Sequence, residues 1–512
     1  MTKTPKTSDI YLFIEIILPK YERKNTTYIA YLQTLLRNSI NIYGPSLEKF
    51  SYFCEKFITQ MKKIILSILA LSCAMGVAVA QTDSKERETL KEEIKQEVIK
   101  ELKAEVEAKK DKAVSFKPYG FIRNYVCYDS RECLAVMGET FHMIPLDVQM
   151  NEDGTEDLND VERLTFAAFT TRLGVDIAGP NIGRAKSSAK VEADFSGFGS
   201  NNTLFRVRQA YVSLAWERVA LTIGQTWHPM VIQVMPTTVG FSPGSPFSPF
   251  NRSPQVNMDV NMGKNWHFIA AALYQHPNTS VGPNGGTHDY ARWNMWPEMY
   301  ASVKRKGERL TIGAGVDFLS LKPRRTSVAY REVTASDCSV STMPVTVRVN
   351  DRVMGVSSEL FADYKCGLFN LKGKVIYGEN VAHLTMISGF GATSYDEQTG
   401  SYEYAPLRSA STWVNATYGK KLMVGILGGF SQNLGAKRDF ISTDDFWVRG
   451  AKNTDYMYRI SPSLIYTIKS FALGLEADYT VVGYGDLAIN GRSEALRDVA
   501  NCRVCAMVKY SF

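Results

Sequence analysis

The chain ends in a stretch of strict two-residue periodicity, Arg503-Val504-Cys505-Ala506-Met507-Val508-Lys509-Tyr510-Ser511-Phe512. Every even position in it is apolar or aromatic, while the odd positions hold Arg, Cys, Met, Lys and Ser. Successive side chains of a β-strand point to opposite faces, so this alternation predicts a strand with one continuous apolar face.

The same periodicity recurs upstream. In Ala189-Lys190-Val191-Glu192-Ala193-Asp194-Phe195 the apolar residues are all odd-numbered and the charged residues all even-numbered. The alternating segment 310–318 follows a partner segment, 299–304, across a tight turn at Lys306-Gly307, which predicts a β-hairpin. No helical period persists after Phe116, so the remainder of the chain is predicted to be all-β.

Alternation alone fits a soluble sandwich as well as a membrane barrel. Short turns alternate here with long polar or Pro-rich stretches, notably residues 228–254 and 323–352, as the short periplasmic turns and long external loops of a barrel do. A sandwich of this size would consist of repeated modules of about 100 residues, and no such repeat is visible. The 397 residues from 116 to 512, at about 25 per strand and connection, predict an antiparallel transmembrane β-barrel of about 16 strands.

The first eighty residues carry an export signal. Met61-Lys62-Lys63 precedes an apolar run and the small-residue site Ala78-Val79-Ala80, which is the organisation of a secretory signal peptide. We predict that residues 61–80 are a signal peptide cleaved between Ala80 and Gln81, and that residues 1–60 are an extension created by a start site placed too early. A membrane anchor and lipidation at Cys73 are the alternatives.

A charged segment separates the signal from the strands. Residues 82–112 hold 9 Lys/Arg and 10 Asp/Glu around one apolar stripe of four-residue spacing. The stripe consists of Leu90, Ile94, Val98, Leu102 and Val106. So narrow a stripe cannot form a domain core, and we predict that residues 81–115 form a helix, either solvated alone or as one strand of an oligomeric coiled coil.

Composition excludes several classes of protein. A chain with 45% hydrophobic and 11% aromatic residues is not disordered, and only residues 64–80 approach the roughly 18 apolar residues that a spanning helix needs. Residues 1–80 hold 10 Lys/Arg against 5 Asp/Glu, which leaves 49 against 47 of the totals of 59 and 52 for the rest. That near-neutral remainder lacks the concentrated basic patch of a nucleic-acid binder, so no nucleic-acid partner is predicted.

The export signal and the barrel together predict a protein of the outer membrane of a Gram-negative bacterium, with the helix in the periplasm. Its partners are then the outer-membrane lipid, which the apolar strand faces contact, and the barrel-assembly machinery. The final Phe512, two residues after Tyr510, is typical of the terminal strand that this machinery recognises. An ordinary last strand is the alternative.

Four segments resemble the DcaP-like family of outer-membrane porins, including its relatives in Bacteroidetes-type bacteria. They are Thr171-Arg172-Leu173-Gly174-Val175-Asp176, Lys190-Val191-Glu192-Ala193-Asp194-Phe195, Phe205-Arg206-Val207-Arg208-Gln209-Ala210-Tyr211 and Leu221-Thr222-Ile223-Gly224-Gln225-Thr226-Trp227. The resemblance implies a 16-stranded homotrimer with an N-terminal periplasmic coil. The family's preference for small carboxylates depends on loops that narrow the channel, which the matched strands do not include.

In a porin, rings of charged side chains and an infolded loop select the solute. The face that we assign to the lumen carries the pore-lining candidates Arg172, Asp176, Lys190, Glu192, Asp194, Arg206 and Arg208. These charges either create a transverse field that orients dipolar or anionic solutes or only neutralise one another and keep the lumen wet. The alternation changes phase between Arg208 and Leu214, which predicts a β-bulge.

Residues 228–254 include six prolines, which argues against a regular strand. We predict that this segment is the constriction loop, and an exposed surface loop is the alternative. Its candidate residues are His228, Phe241, Phe247, Phe250 and Arg252.

Enzyme-like patterns are weak. The run Gly240-Phe241-Ser242-Pro243-Gly244 fits G-x-S-x-G, but Pro243 has no backbone N–H for an oxyanion hole. Cys502 and Cys505 have the spacing of metal ligands, yet residues three apart on a strand point to opposite faces, so we predict separate wall residues. Whether Cys127 and Cys133 form a loop disulfide stays open.

The six histidines offer no ligand-spaced pair on one element, so no metal site, catalytic residue or cofactor is predicted. They are His142, His228, His267, His276, His288 and His383.

The sequence therefore predicts a porin, not an enzyme, for passive diffusion of small hydrophilic solutes. Anionic or carboxylate-bearing solutes are the narrower hypothesis. The alternatives are a structural barrel tethered to the cell wall through its helix and a barrel lipase or protease.

Overall fold

The computed structural model describes residues 114–136, 140–197, 204–334 and 340–512, together with Gln96. The predicted extension (1–60) and signal peptide with its cleavage site between Ala80 and Gln81 lie outside the described residues. Most of the predicted helix (81–115) lies outside them as well.

The described residues form twenty-six strands and three short helical elements, which turns and loops connect. The strands are β1 (Ser115–Asp129), β2 (Cys133–Val136), β3 (Phe141–Pro145), β4 (Arg163–Ala167), β5 (Arg172–Ala178), β6 (Lys186–Asp194), β7 (Arg206–Ala215), β8 (Val219–Trp227), β9 (Arg252–Gly263), β10 (Trp266–Leu273), β11 (Val281–Gly282), β12 (Gly285–Gly286), β13 (Glu298–Lys306), β14 (Leu310–Leu321), β15 (Thr326–Thr334), β16 (Val340–Arg348), β17 (Val353–Cys366), β18 (Phe369–Glu379), β19 (Ser388–Tyr395), β20 (Tyr402–Pro406), β21 (Arg408–Gly419), β22 (Leu422–Gly435), β23 (Phe446–Arg449), β24 (Thr454–Ile468), β25 (Phe471–Leu487) and β26 (Ser493–Ser511). The helical elements are α1 (Pro229–Ile232), α2 (Asp289–Asn294) and the 3₁₀ helix η1 (Val381–Leu384). Within the described ranges, these helices are too short to cross a membrane.

Sixteen strands form one closed antiparallel wall. Strand β1 pairs with β26 on one side and with β4 and β5, in succession, on the other, so the sheet has no free edge. Strands β4 and β5 both pair with β1, one after the other along its length, and so share one position in the wall. The seventeen strands of this sheet therefore occupy sixteen positions. The predicted barrel of about 16 strands is therefore confirmed, and so is the predicted hairpin, in which Met299 of β13 faces Phe318 of β14.

Burial alternates along the wall strands. Leu173, Val191 and Val207 are 46–49% exposed on one face, whereas Glu192 and Asp194 are only 1–4% exposed on the other. An apolar outer face and a polar inner face are the arrangement of a barrel surrounded by lipid.

The predicted bulge is confirmed at Arg208, the first residue of the interval in which it was expected. Glu192 pairs with Gln209 and Ala193 pairs with Val207, so Arg208 is the additional residue in β7. As a result Arg208 and Gln209, although adjacent, are both buried.

The segment between β8 and β9 lies inside the wall. Glu476 in β25 accepts hydrogen bonds from the backbone N–H groups of Val239 and Gly240, both at 2.7 Å. Ser411 in β21 donates to the carbonyl of Phe247 at 2.9 Å. A segment that bonds to separated strands of a closed ring must run through its interior.

Three residues of the predicted loop, 252–254, belong instead to a strand. Arg252 and Pro254 open β9, where they face Trp227 and Gln225 of β8. Pro254 is tolerated in this position because its carbonyl can still accept a hydrogen bond, which comes from the N–H of Tyr274 at 2.9 Å. The assignment of Arg252 to the loop was therefore wrong.

The structure pairs Cys127, whose disulfide state the sequence left open. Cys127 faces Cys505 across the β1–β26 pair, and the two form a disulfide with Cα atoms 4.2 Å apart. Cys133 is free and buried, and Cys502 is free and exposed on the opposite face of the strand from Cys505. The sequence left a Cys127–Cys133 bridge open because local spacing does not reveal that the first and last strands are neighbours, and the structure pairs Cys127 with Cys505 instead.

Candidate functional site

The seven pore-lining candidates lie together on the inner face of three consecutive strands. Asp176 of β5 faces Lys190 of β6, with Oδ1 and Nζ 3.0 Å apart. Asp194 of β6 faces Arg206 of β7, with Oδ2 and Nη2 2.8 Å apart. Cross-strand register therefore pairs these charges directly.

The bulged Arg208 links the two buried carboxylates. Its Nε lies 2.9 Å from Glu192 Oε1, and its Nη1 lies 2.6 Å from Asp194 Oδ2. Arg172 Nη1 lies 3.5 Å from the other oxygen of Glu192, and Tyr119 of β1 donates to that oxygen at 3.0 Å. Buried ion pairs of this kind hold their side chains in defined positions.

Three further cations that were not among the pore-lining candidates converge on the same cluster. Arg123, Arg172 and Lys509 lie 4.9–5.7 Å from the ring centre of Phe121. Arg208 and Arg252 lie 5.9 Å and 4.6 Å from the ring centre of Trp227. Arg123 and Lys509 come from β1 and β26. The alternation of Lys509 with Val508 and Tyr510 is a signal that could have identified it, whereas Arg123 is followed by the polar Asn124. We call the set Arg123, Arg172, Arg206, Arg208, Arg252, Lys509, Glu192 and Asp194 the arginine cluster.

The arginine cluster carries six cations against two carboxylates. Three buried guanidinium nitrogens in it, Arg123 Nη2, Arg172 Nε and Arg252 Nη1, have no hydrogen-bond acceptor among the described residues. A buried N–H without an acceptor is unfavourable unless a solvent molecule or a solute supplies one. The cluster is therefore suited to accept an anion.

Aromatic rings support these guanidinium groups. The Arg252 guanidinium lies 4.6 Å from the ring centre of Trp227 and 5.0 Å from that of Phe250. Arg123 lies 5.2 Å from the ring centre of Phe241. Cation–π contacts stabilise an arginine without neutralising its charge, which leaves the positive potential available.

The loop candidates are all buried inside the wall. Phe250 packs against Phe141 of β3 at 4.9 Å between ring centres, and Phe241 packs edge-on against the same ring at 6.3 Å. Phe247 lies under the Arg459 guanidinium at 5.5 Å. The segment thus joins an apolar core inside the barrel, to which the β2–β3 hairpin also contributes.

The structure brings together two histidines that the sequence separates by more than 150 positions. Nε2 of His228 and Nε2 of His383 each lie 2.8 Å from Oε1 of Glu298, and all three residues are at most 3% exposed. The prediction that excluded a metal site considered only pairs on one element and therefore missed this group. A second group, Asp129, Cys133 and His142, also places three possible ligand atoms within 4.8 Å of one another.

A closed 16-stranded wall, an apolar outer face, an infolded segment and a charged inner face define a porin-type outer-membrane barrel. The DcaP outer membrane protein family matches residues 79–262 of this chain. The predicted resemblance is thus confirmed over that range, and with it the outer-membrane localisation.

Solved structures of outer-membrane proteins are similar to this chain to different degrees. The outer membrane channel DcaP of Acinetobacter baumannii is 20% identical, with 78% of this chain and 98% of that chain covered and a TM-score of 0.54. The anion-selective porin from Comamonas acidovorans is 11% identical, with 78% and 100% covered and a TM-score of 0.46. A loop L8 deletion mutant of OmpT from Vibrio cholerae is 12% identical, with 78% and 100% covered and a TM-score of 0.45. No curated protein matches the chain.

Proposed function

We propose that this protein is an outer-membrane porin that lets small hydrophilic anions, carboxylates among them, diffuse passively. The observation that carries the proposal is the arginine cluster, whose three buried guanidinium nitrogens lack an acceptor. An anion that enters supplies acceptor oxygens, and the fork geometry of Arg matches a carboxylate. Partial neutralisation by Glu192 and Asp194 keeps binding weak enough for the solute to leave.

The infolded segment, residues 228–251, is proposed to set the width of the channel. Its hydrogen bonds to Glu476 and Ser411 support a position across the lumen. Phe241 and Phe250 border the arginine cluster through their contacts with Arg123 and Arg252. A solute would therefore pass beside the place where the positive wall and the aromatic edge of the loop meet.

We also propose that the protein is a homotrimer and that it has no enzymatic activity. The predicted coil at residues 81–115 supports a trimer, as does the resemblance to a trimeric family. Cross-linking of the exported protein in detergent tests it, because dimers alone or monomers alone would contradict a trimer.

The main test is the reversal potential of the purified protein in a planar bilayer with a salt gradient. A unit charge about 8 Å from an ion in water contributes about 0.5 kcal/mol, which corresponds to about a twofold change in permeability. We expect anion preference in the unmodified protein. Arg252→Gln should lower the anion-to-cation permeability ratio by about two- to fourfold, because the charge favours anions and disfavours cations.

The matched control is Lys420→Gln, which removes one cation from an exposed turn. It should leave the ratio unchanged. Cation preference in the unmodified protein, or an equal shift in both variants, would contradict the anion-selective part of the proposal. A folded barrel that inserts and conducts no current would contradict the porin and favour the structural alternative.

A further inference from the structure

A second polar group lies inside the barrel at the start of the infolded segment. His228 precedes α1, Glu298 opens β13 and His383 lies in η1, so three separate elements meet at one carboxylate. Both Nε2 atoms lie 2.8 Å from the same oxygen, Glu298 Oε1. The side chains of the three residues are at most 1% exposed.

A fourth residue, Asp317 of β14, interacts electrostatically with Glu298 and is 2% exposed. Glu298 Oε2, Asp317 Oδ1 and His383 Nδ1 are buried and have no hydrogen-bond partner among the described residues. Two buried carboxylates near each other repel unless a proton or a cation lies close to them. Among the described residues, only the two imidazoles lie within salt-bridge distance of Glu298.

Lys374, which donates to the carbonyl of Met230 in α1, is engaged elsewhere. Lys374 Nζ lies 2.7 Å from Glu359 Oε2, which leaves it paired with a different carboxylate of the inner wall. The two imidazoles offer neutral nitrogen ligands, and Glu298 offers charged oxygen ligands. A set of two His and one carboxylate, with a fourth position for another ligand, suits a tetrahedral divalent ion of the zinc class.

We propose that His228, His383 and Glu298 form a binding site for a divalent transition-metal cation. The cation would compensate the charge of the Glu298 carboxylate and replace the proton on each Nε2. His228 Nδ1 accepts a hydrogen bond from the N–H of Met230 at 3.2 Å, and ligation through Nε2 exchanges that bond for a proton on Nδ1. The site would fasten the start of the infolded segment and η1 to the wall.

Metal analysis of the full chain is the first test. The protein is exported, purified in detergent without chelator, and its bound metals are measured by mass spectrometry. Because the site is closed to solvent, the protein is also unfolded with chelator and refolded with Co²⁺. We expect one divalent ion per chain and the intense visible absorption of four-coordinate Co²⁺, which Zn²⁺ present during refolding should abolish.

Variants assign the site. Glu298→Gln and His383→Asn should each lose the bound ion and the Co²⁺ absorption. The matched control is His267→Asn. His267 also pairs with a carboxylate, since its Nδ1 lies 2.9 Å from Asp259 Oδ1, but it lies outside the proposed site. This variant should retain both the bound ion and the Co²⁺ absorption. Heat-modifiable migration on a denaturing gel shows which variants have folded.

Three results would overturn the proposal. They are an unmodified protein that folds with no bound ion and no Co²⁺ absorption, retention of the ion in both ligand variants, and loss of the ion in the His267→Asn control. If the ligand variants do not fold, X-ray absorption of the Co²⁺-loaded unmodified protein decides, because a first shell without two imidazoles excludes the site.

Discussion

Glu192 connects three strands of the inner wall. It accepts a hydrogen bond from Tyr119 of β1 and pairs with Arg172 of β5 and Arg208 of β7. Glu192→Gln retains an oxygen for these donors but removes one of the two negative charges of the arginine cluster. We therefore expect a two- to fourfold higher anion-to-cation permeability ratio, opposite in sign to the effect of Arg252→Gln.

Reversal potentials of Glu192→Gln and Arg252→Gln, measured in the same lipid and under the same salt gradient, check this expectation. Glu494→Gln is the control, because Glu494 is an exposed carboxylate in β26. An unchanged ratio in Glu192→Gln would mean that Glu192 and the guanidinium groups neutralise each other without shaping the field that the solute meets.

Asp147, in the long connection after β3, holds that connection to the end of the barrel. It accepts hydrogen bonds from Arg497 Nε at 2.8 Å, from Asn453 Nδ2 at 2.7 Å and from the N–H of Val148 at 2.8 Å. Burial alone would raise its pKa, but these donors outweigh burial and lower the pKa below the ordinary value of 3.8. The stabilisation is therefore complete above that value and is lost as the pH falls through the lowered pKa.

Hydrogen exchange checks this pH dependence. Asp147→Asn should speed the exchange of residues 146–160 at neutral pH, and the difference from the unmodified protein should vanish in strong acid, after correction for the intrinsic rate. Asp153→Asn, which alters an exposed carboxylate of the same connection, should have no effect at either pH. A difference that persists unchanged in strong acid would show that the charge of Asp147 is irrelevant.

At the scale of elements, the infolded segment depends on a few wall residues. Glu476 of β25 accepts the N–H groups of both Val239 and Gly240 and is the shared anchor of that part of the segment. Glu476→Ala should leave these two donors without an acceptor and loosen the segment. We expect greater open-channel noise in single-channel recordings, with Glu494→Ala as the exposed control.

Equal noise in the two variants would contradict the role of Glu476 as an anchor. Noise that rises in both would point to a general loss of stability, which the migration of the folded band reports independently.

The wall strands could be predicted from the sequence because their alternation is local. Lys190, Glu192 and Asp194 alternate with apolar residues that contact the surroundings, so the pattern alone separates the two faces. The bulge at Arg208 was visible for the same reason, as a change in the phase of that pattern. The fourth segment of the family resemblance, residues 221–227, lies within strand β8.

The contacts inside the barrel could not be predicted in this way. His228 and His383 meet only because two loops fold into the same lumen, and Cys127 meets Cys505 only because the barrel closes. Arg252 was assigned to the wrong element because proline frequency masked the start of β9. Each of these contacts depends on the closed topology, which periodicity along the chain does not record.

For the whole molecule, closure depends on the pair formed by β1 and β26. Nine residues of β1, Phe121–Asp129, pair with nine of β26, and one disulfide, Cys127–Cys505, crosses the pair. Without this pairing both strands would present open edges, which a barrel in lipid cannot tolerate. Cys127 and Cys505 are 378 residues apart in the sequence. The chain-entropy model gives a disulfide that closes a 100-residue loop a stabilisation of about 4.7 kcal/mol, and this stabilisation increases with loop length.

The double variant Cys127→Ser with Cys505→Ser should therefore assemble but lose its folded band at a temperature lower by roughly 5–10 °C. The measurement is the migration of the detergent-solubilised protein on a denaturing gel after heating, with and without reductant. Reductant should lower the transition of the unmodified protein toward that of the double variant and leave the double variant unchanged. Cys366→Ser, which replaces a free exposed thiol at the end of β17, controls for the loss of a cysteine as such. If the double variant and the unmodified protein lose their folded bands at the same temperature, the hydrogen-bonded register of β1 and β26 alone holds the barrel closed.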